Sequence, residues 1–460
     1  MSTMAFLSAV FWGIVVLSLL VMVHEGGHFL AARAFGVRVT EFYLGMPSRY
    51  KVYRKSRKYG TEFGVTPILL GGYNRICGME GEHDDLLAPC FAIVQREGRV
   101  SIGAVARELG IEEERALALL VTLSDWASIR PYYDAEKGEY EGQREWPDSF
   151  EALARDAAML TEYDAGHDFS QPGSTGAGES RPIASDPSEA LAFERSHTYL
   201  GKGFLKRIVI LSAGPLVNLL LAFLIVTAAL ATVGVSTVVN SNVIGGVAEG
   251  GYAQSAGLVA GDAIVKVNDV STSDWVSLCD ALDGVLAEGR DFSVTFVRDG
   301  RETVASVDLP EGERVEFFGI DAQTRMVPLP VPDAAAAAWN YGVTVAKFAI
   351  RLIIPQHTVE TLSNTSSVVG ISAAASQAAA AGPLDLVLFL AMVSMSLGVM
   401  NLLPIPPLDG GKIVIEIIQL VIRRPLSRRV QNAVSYIGLA FFLFIFVFAL
   451  RNDLVRILPQ

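Results

Sequence analysis

The sequence predicts a multi-pass α-helical membrane protein: about four transmembrane helices, a β-rich domain and a small α/β insert. Three observations predict it. Four uncharged apolar runs are each long enough to cross a bilayer. The basic residues gather in short segments beside those runs. A single acidic stretch, residues 80–195, holds 25 acidic and 10 basic residues, a net of −15 against −12 for the whole chain.

The apolar runs are 4–23, 208–239, 386–408 and 430–450, against the roughly 20 residues a spanning helix needs. The first has no basic start and no small-residue cleavage site, so it reads as a retained span and not a removed leader. Arg33, Arg38, Arg49, Lys51, Arg54, Lys55, Arg57 and Lys58 follow the first run, Lys202, Lys206 and Arg207 precede the second, and Arg423, Arg424, Arg428 and Arg429 lie between the last two. Basic short loops stay cytoplasmic. All three clusters then give one topology: termini outside, 24–207 and 410–429 cytoplasmic, 240–380 outside. The stretch 333–354 carries Lys347 and Arg351 in mid-run. It fits an amphipathic helix on the outer membrane surface better than a fifth span. Cys77, Cys90 and Cys279 make neither a disulfide framework nor a metal cluster and read as small buried residues.

The first run ends in "HEGGH", residues 24–28. Residues four apart share a helix face, so His24 and His28 point together with Glu25 one residue round. Two imidazoles can hold one zinc ion, and the carboxylate can take the proton of an attacking water. Gly26 and Gly27 each cost about 1 kcal/mol against alanine in a helix; they leave room for a neighbouring span or a substrate. A catalytic zinc site needs a third protein ligand. Asp409, in "NLLPIPPLDGGK" (401–412), returns to the same depth on the same side. There Pro404, Pro406 and Pro407 break the helix, and the glycines permit a tight turn. The other reading of that segment is an ordinary interfacial turn. His83, His167, His197 and His357 are weak ligand candidates.

HEGGH, "SAGPLVNLLLA" (212–222) and "NLLPIPPLDGG" (401–411), in that order, resemble the site-2 protease family of intramembrane zinc metalloproteases, and most of all the bacterial regulator-of-sigma-E protease type. The resemblance implies zinc on His24, His28 and Asp409, with Glu25 as general base. It implies substrate contacts at Asn218 and Asn401. It also matches "FGVTPILLGGYNRICGM" (63–79) to a membrane-associated β-hairpin that pairs with substrate, involving Gly71, Gly72, Tyr73 and Asn74. β-forming residues flanking Gly71-Gly72 allow such a hairpin. Residues 242–325 resemble one extracytoplasmic PDZ domain with a peptide or chain-end ligand. The implied substrates are single-span membrane proteins in the lipid bilayer, such as anti-sigma factors or remnant signal peptides. A catalytically inactive PDZ-containing membrane scaffold is the alternative; intact HEGGH and LDGG favour the enzyme.

The chain departs from that family in its acidic insert. Residues 99–133 give helix, glycine turn, helix and strand, a winged-helix-like pattern. Glu112, Glu113 and Glu114 open its second helix, which excludes a nucleic-acid partner and suits a cytoplasmic protein partner. Gly, Ser and Pro dominate 165–187, so the insert is expected to stand off the membrane on a flexible linker. The expected divisions are 1–79 (first span and hairpin), 80–197 (insert), 198–241 (second span), 242–325 (PDZ), 326–382 (surface helix region) and 383–460 (last two spans).

Overall fold

The computed structural model describes residues 3–69, 71–79, 84–184, 186–310, 315, 317–363, 365–424 and 426–457. The chain divides into two compact units, residues 1–225 with 339–460, and residues 226–338.

In the first unit, α1 (Thr3–Ala34) carries the opening apolar run through HEGGH without a break. It ends where Gly36 adopts φ +68° and Val37 N–H returns to the Ala32 carbonyl at 2.9 Å. Four strands follow: β1 (Val39–Leu44), β2 (Val52–Lys55), β3 (Glu62–Val65) and β4 (Gly72–Ile76), in the order β2-β3-β1-β4. The expected hairpin over 63–79 is therefore corrected. Its two strands form, but they do not pair with each other; β1 lies between them, parallel to β3 and antiparallel to β4. The connection explains this. Thr66 N–H and Met46 N–H bond to Leu44 O and Ile68 O, and Gly45 N–H bonds to Gly71 O, so residues 66–69 and Gly71 wrap over the end of β1. A two-residue turn would have forced β3 against β4.

The insert contains α2 (Leu87–Glu97), β5 (Arg99–Ser101), α3 (Ile102–Leu109), α4 (Glu113–Asp125), β6 (Ile129–Tyr132) and β7 (Ser149–Ala152), with strand order β5-β7-β6. Ser101 caps α3 by accepting from Ala104 N–H, and Gly110 at φ +66° ends it. Cys90, Phe91, Leu120, Leu123 and Phe150 are fully buried in its core. Then come α5 (Pro187–Ser196) and α6 (Phe204–Thr232).

The insert does not stand off on a flexible linker. Within 165–187, Thr175 exchanges both backbone bonds with Arg155, Gly178 N–H donates to Ala152 O and Arg181 N–H to Gln95 O. Ser174, Gly176 and Gly178 make turns whose amides are satisfied by Gln171 O, Glu179 Oε2 and Ala152 O. The insert in turn grips the residue before β1. Arg38, 1% exposed, donates from Nε and Nη2 to the two oxygens of Asp164 at 2.7 and 2.6 Å and from Nη1 to Glu194 Oε2 at 2.6 Å. Glu194 also accepts from Arg155 Nη1 and Ser128 Oγ, each at 2.7 Å. Removing one member of such a buried set strands the others, at a cost of about 3–5 kcal/mol.

In the second unit the apolar run 208–239 leaves the helix after Thr232. Gly234 turns at φ +96°, and the β-branched residues beyond it form β8 (Val235–Val238). There follow β9 (Ile244–Val247), α7 (Tyr252–Ser255), β10 (Ala263–Val267), β11 (Val270–Ser271), α8 (Trp275–Glu288), β12 (Phe292–Arg298), β13 (Arg301–Val307), β14 (Ile320–Ala322) and β15 (Thr324–Val327). The strands pair as β11-β10-β12-β13, β14-β9 and β15-β8 around a core that includes Ile264, Leu278, Val294 and Phe318.

The chain closes with α9 (Val331–Ile353), α10 (Pro355–Ser363), α11 (Val368–Ala381), α12 (Pro383–Asn401), α13 (Asp409–Ile422) and α14 (Arg428–Ile457). Among the described residues, four helices are long and apolar enough to cross a membrane: 3–34, 204–232, 383–401 and 429–453. α11 lies along the first half of α1, with Ser8 and Ser376 hydroxyls 2.7 Å apart and Gly13 against Ser372. α11 lies within the 326–382 region and packs on α1. Its alanines, serines and glycine allow the close approach. Asp453 on α14 caps α11, accepting from Ser367 and Gly370 N–H.

Burial raises the carboxyls of Asp164 and Glu194, but the guanidiniums beside them outweigh it and hold both down to about 2. Both lie below their unfolded values of about 4. Their contribution is therefore present above about pH 4 and is lost as pH falls toward 2. Limited proteolysis across 156–187 is expected to accelerate over that interval. Asp164→Asn, which removes one titrating group, is expected to make the acceleration shallower.

Candidate metal centre

α1 and α6 meet at two glycines. A methyl group on Gly27 would collide with the Ala213 carbonyl and with Gly214; one on Gly214 would collide with the His28 ring and the His24 carbonyl. Of the two glycines inside HEGGH, Gly27 therefore lets the neighbouring helix in, while Gly26 faces open space. α12 reaches α6 in the same way, with Gly398 against Pro215 O and Leu219. Its end, Asn401, leads through the prolines to Asp409. The expected tight turn at Gly410-Gly411 is not formed. Asp409 is the first residue of α13, and the two glycines let that helix pack on the backbone of 402–406.

These approaches bring three ligand atoms together. His24 Nε2 and His28 Nε2 lie 3.1 and 3.3 Å from Asp409 Oδ2 and 3.2 Å from each other. The edge of a tetrahedron with bonds of about 2.0–2.1 Å to a central ion is about 3.3 Å. The three atoms thus form one face of a zinc-sized tetrahedron with a vertex left over, from a donor set that zinc favours. His24 and His28 are buried and Asp409 is half-buried. His167, His197 and His357 stand apart from this group, and His83 lies outside the described residues.

The far sides of both rings face α6. His28 Nδ1 is 2.8 Å from the Ile210 carbonyl, which can only accept. That bond places the ring proton on Nδ1 and leaves Nε2 free to ligate. His24 Nδ1 is 3.5 Å from the amide of the fully buried Asn218. Ser394 Oγ bonds the Asn218 carbonyl at 2.9 Å, which anchors this turn of α6 to α12.

Glu25 is held from the sheet. Asn74 Nδ2 on β4 donates to Glu25 Oε2 at 2.8 Å and to the Glu25 carbonyl at 2.9 Å. Gly72, two residues earlier on the same strand, has no side chain to keep β4 away from Val21 and Glu25. Tyr73 points to the other face, stacked on Tyr43 with ring centroids 5.4 Å apart and donating to Glu41 at 2.8 Å. Gly71 takes φ +155° at the entry to β4. Sequence reasoning placed Asn74 with the substrate and missed its hold on Glu25. It also missed Ile210 and Arg38: a carbonyl is invisible in a sequence, and Arg38 stood among seven other basic residues.

The profile of Peptidase family M50 matches residues 12–445. A Lactococcus lactis protein named "Putative zinc metalloprotease LL2128" is 27% identical over 460 residues, covering 96% of this chain and 97% of its own. "Probable protease eep" of Enterococcus faecalis is 27% identical over 452 residues, covering 96% and 98%.

Gly27→Leu should force α6 away from α1 and detach His28 from Ile210. Zinc bound to the purified protein, measured by atomic absorption, is expected to weaken at least about 10-fold.

Proposed function

The chain belongs to Peptidase family M50 and is a zinc metalloprotease; from that premise we propose that it cuts peptide bonds inside the transmembrane segments of single-span membrane proteins. One observation carries the reading. The ligand face of His24, His28 and Asp409 is built where helices long enough to span a bilayer converge. Ionisable groups at such depth are costly and mark function.

Zinc, when bound there, activates a water and polarises the scissile carbonyl. Glu25 accepts that water's proton and passes it to the leaving amine. Ile210 and Asn218 fix the two imidazoles. The Asn218 Oδ1 is buried with no partner, while its Nδ2 faces His24 Nδ1. Turning the amide over sets Oδ1 to accept the ring N–H of His24 and leaves Nδ2 in the position Oδ1 held. We therefore read Asn218 as holding His24, and Asn401 as the remaining asparagine for substrate.

A helical substrate hides its amides and must unwind before a carbonyl can be attacked. β4 ends its sheet, so its outer edge is open to an extended peptide. The three basic clusters support a cytoplasmic active site and an extracytoplasmic β-rich unit. In that unit, α8 with the β11-β10-β12-β13 sheet and the β14-β9 pair suits a PDZ domain that takes a peptide or chain end. The helix-strand-helix-helix-strand-strand order of the insert suits a winged helix without nucleic-acid affinity. An inactive scaffold would have no use for Glu25 and its Asn74 bond beside an intact ligand face. Anti-sigma factors and remnant signal peptides both have the required single span.

Glu25→Gln is expected to abolish cleavage with zinc retained, and single-span fragments should accumulate in membranes of cells carrying it; turnover within about 10-fold of the parent would exclude Glu25 as base. Asp409→Ala is expected to lose zinc. Asn218→Ala is expected to weaken zinc binding about 10–100-fold, the usual cost of losing a bond behind a metal-ligating histidine.

A further inference from the structure

The acidic insert reaches the catalytic base through a short chain of bonds. Arg38 joins the two ends of that chain. Its guanidinium is enclosed by Asp164, Glu194 and the carbonyl of Ala127, all from the insert or its return to α6. Its main chain belongs to the sheet: Cys77 N–H, just beyond β4, donates to Arg38 O at 2.9 Å. Cys77 O accepts from Tyr199 N–H at 2.8 Å, and Arg38 N–H donates to His197 O at 2.9 Å, so the segment entering α6 closes the same junction. On the next residue, Gly78 N–H donates to Asp125 at the end of α4 at 3.0 Å. The C-terminal end of β4 is thus held by Arg38 O on one side, by Tyr199 of the segment entering α6 on the other and, at Gly78, by Asp125 of the insert. Three residues before Cys77 on the same chain is Asn74, which holds Glu25.

We propose that the insert braces the catalytic base: Arg38 locks the insert to the β1–β4 pair, and Asn74 on β4 transmits that fixed position to Glu25. The proposal rests on the reading of Glu25 as base. Arg38 and Asp164 are positioning residues, since neither touches substrate or ligand atoms. Asn74 is the last link, and its two bonds set both the carboxylate and the main chain of Glu25. A displacement of the base by about 1 Å costs up to about 100-fold in rate, so a rigid support several residues away has catalytic consequence. The insert is then a part of the working enzyme. A partner that loosened the Arg38 junction would lower turnover from the cytoplasmic side.

The test is a double-mutant cycle on kcat with the full-length zinc-loaded protein and a purified single-span substrate. Asn74→Ala cuts the last link. Asp164→Asn keeps the shape at the junction but removes half the charge gripping Arg38; it is preferred to Arg38→Met, which strands two buried carboxylates and endangers folding. Each single variant is expected to lower kcat about 10-fold or more with KM changed less than about threefold. In the Asn74→Ala background, Asp164→Asn is expected to add nothing, because the link it acts through is gone. Restoring the acid with Asp164→Glu should recover part of the loss. Amide exchange across 72–76 reads the brace without reference to catalysis and is expected to speed up in Asp164→Asn.

Multiplicative losses in the double variant would overturn the proposal, since they make the junction a matter of general stability. Unchanged kcat and unchanged exchange at 72–76 in Asp164→Asn would overturn it as well. Glu25→Gln measured in parallel separates the two readings. If that variant stays active the base assignment fails, whereas an inactive Glu25→Gln beside multiplicative losses in the cycle leaves the base standing and removes the brace.

Discussion

The close crossing of α1 and α6 at Gly27 and Gly214 is the constraint from which the rest of the site follows. Two histidines on one helix face share a direction, but a shared direction does not make a metal site. The rings must also be held from behind, in the tautomer that frees Nε2. α6 does this with a carbonyl at Ile210 and an amide at Asn218, and it can do so only because neither glycine carries a side chain at the crossing. The same device recurs at Gly398 and at Gly410-Gly411, where α12 and α13 bring Asp409 up to the histidines. In an apolar medium helices gain little from hydrophobic association, so small residues that permit backbone contact decide where they meet.

This explains why the three clustered residues were legible in the sequence and their supports were not. His24 and His28 announce themselves by a spacing that helical geometry makes meaningful, and Asp409 by matching depth. The helices long and apolar enough to cross a membrane were legible from length and charge alone. What failed was anything set by long-range pairing. β1 was hidden in a segment that was read only for its basic residues, so β3 and β4 were taken for a hairpin. A strand's partner is chosen by the whole sheet, and alternation in "VTEFYL" gives no hint that β1 separates its two neighbours in space. The glycines and serines of 165–187 were read as a linker by composition. Composition reports how easily a chain turns, not whether its amides find partners. α11 was missed for a similar reason: a run of alanines and serines is weakly apolar, and what makes it a packing surface is the facing side of α1, with Ser8, Gly13, Val16 and Leu20 against it.

The charge distribution has a second meaning in the light of the junction. The basic residues that follow the first apolar run also meet the acidic insert. Lys51 pairs with Glu141 of the insert at 3.2 Å and Lys55 with Glu162 at 2.8 Å, and Arg33 donates to Tyr163 O at 2.8 Å. The two lysine pairs are partly exposed, and each contributes no more than about 1 kcal/mol. Their effect is on direction: a strongly negative module next to a positive segment docks one way round. Arg38 differs from them in kind. It has left water entirely, so its two carboxylates are not optional partners but the condition for its burial. A junction of this type resists partial opening, because any intermediate exposes an unpaired charge in a dry interior. The exposed pairs select the docked orientation, and the buried arginine makes it rigid enough to fix the strand that holds Glu25.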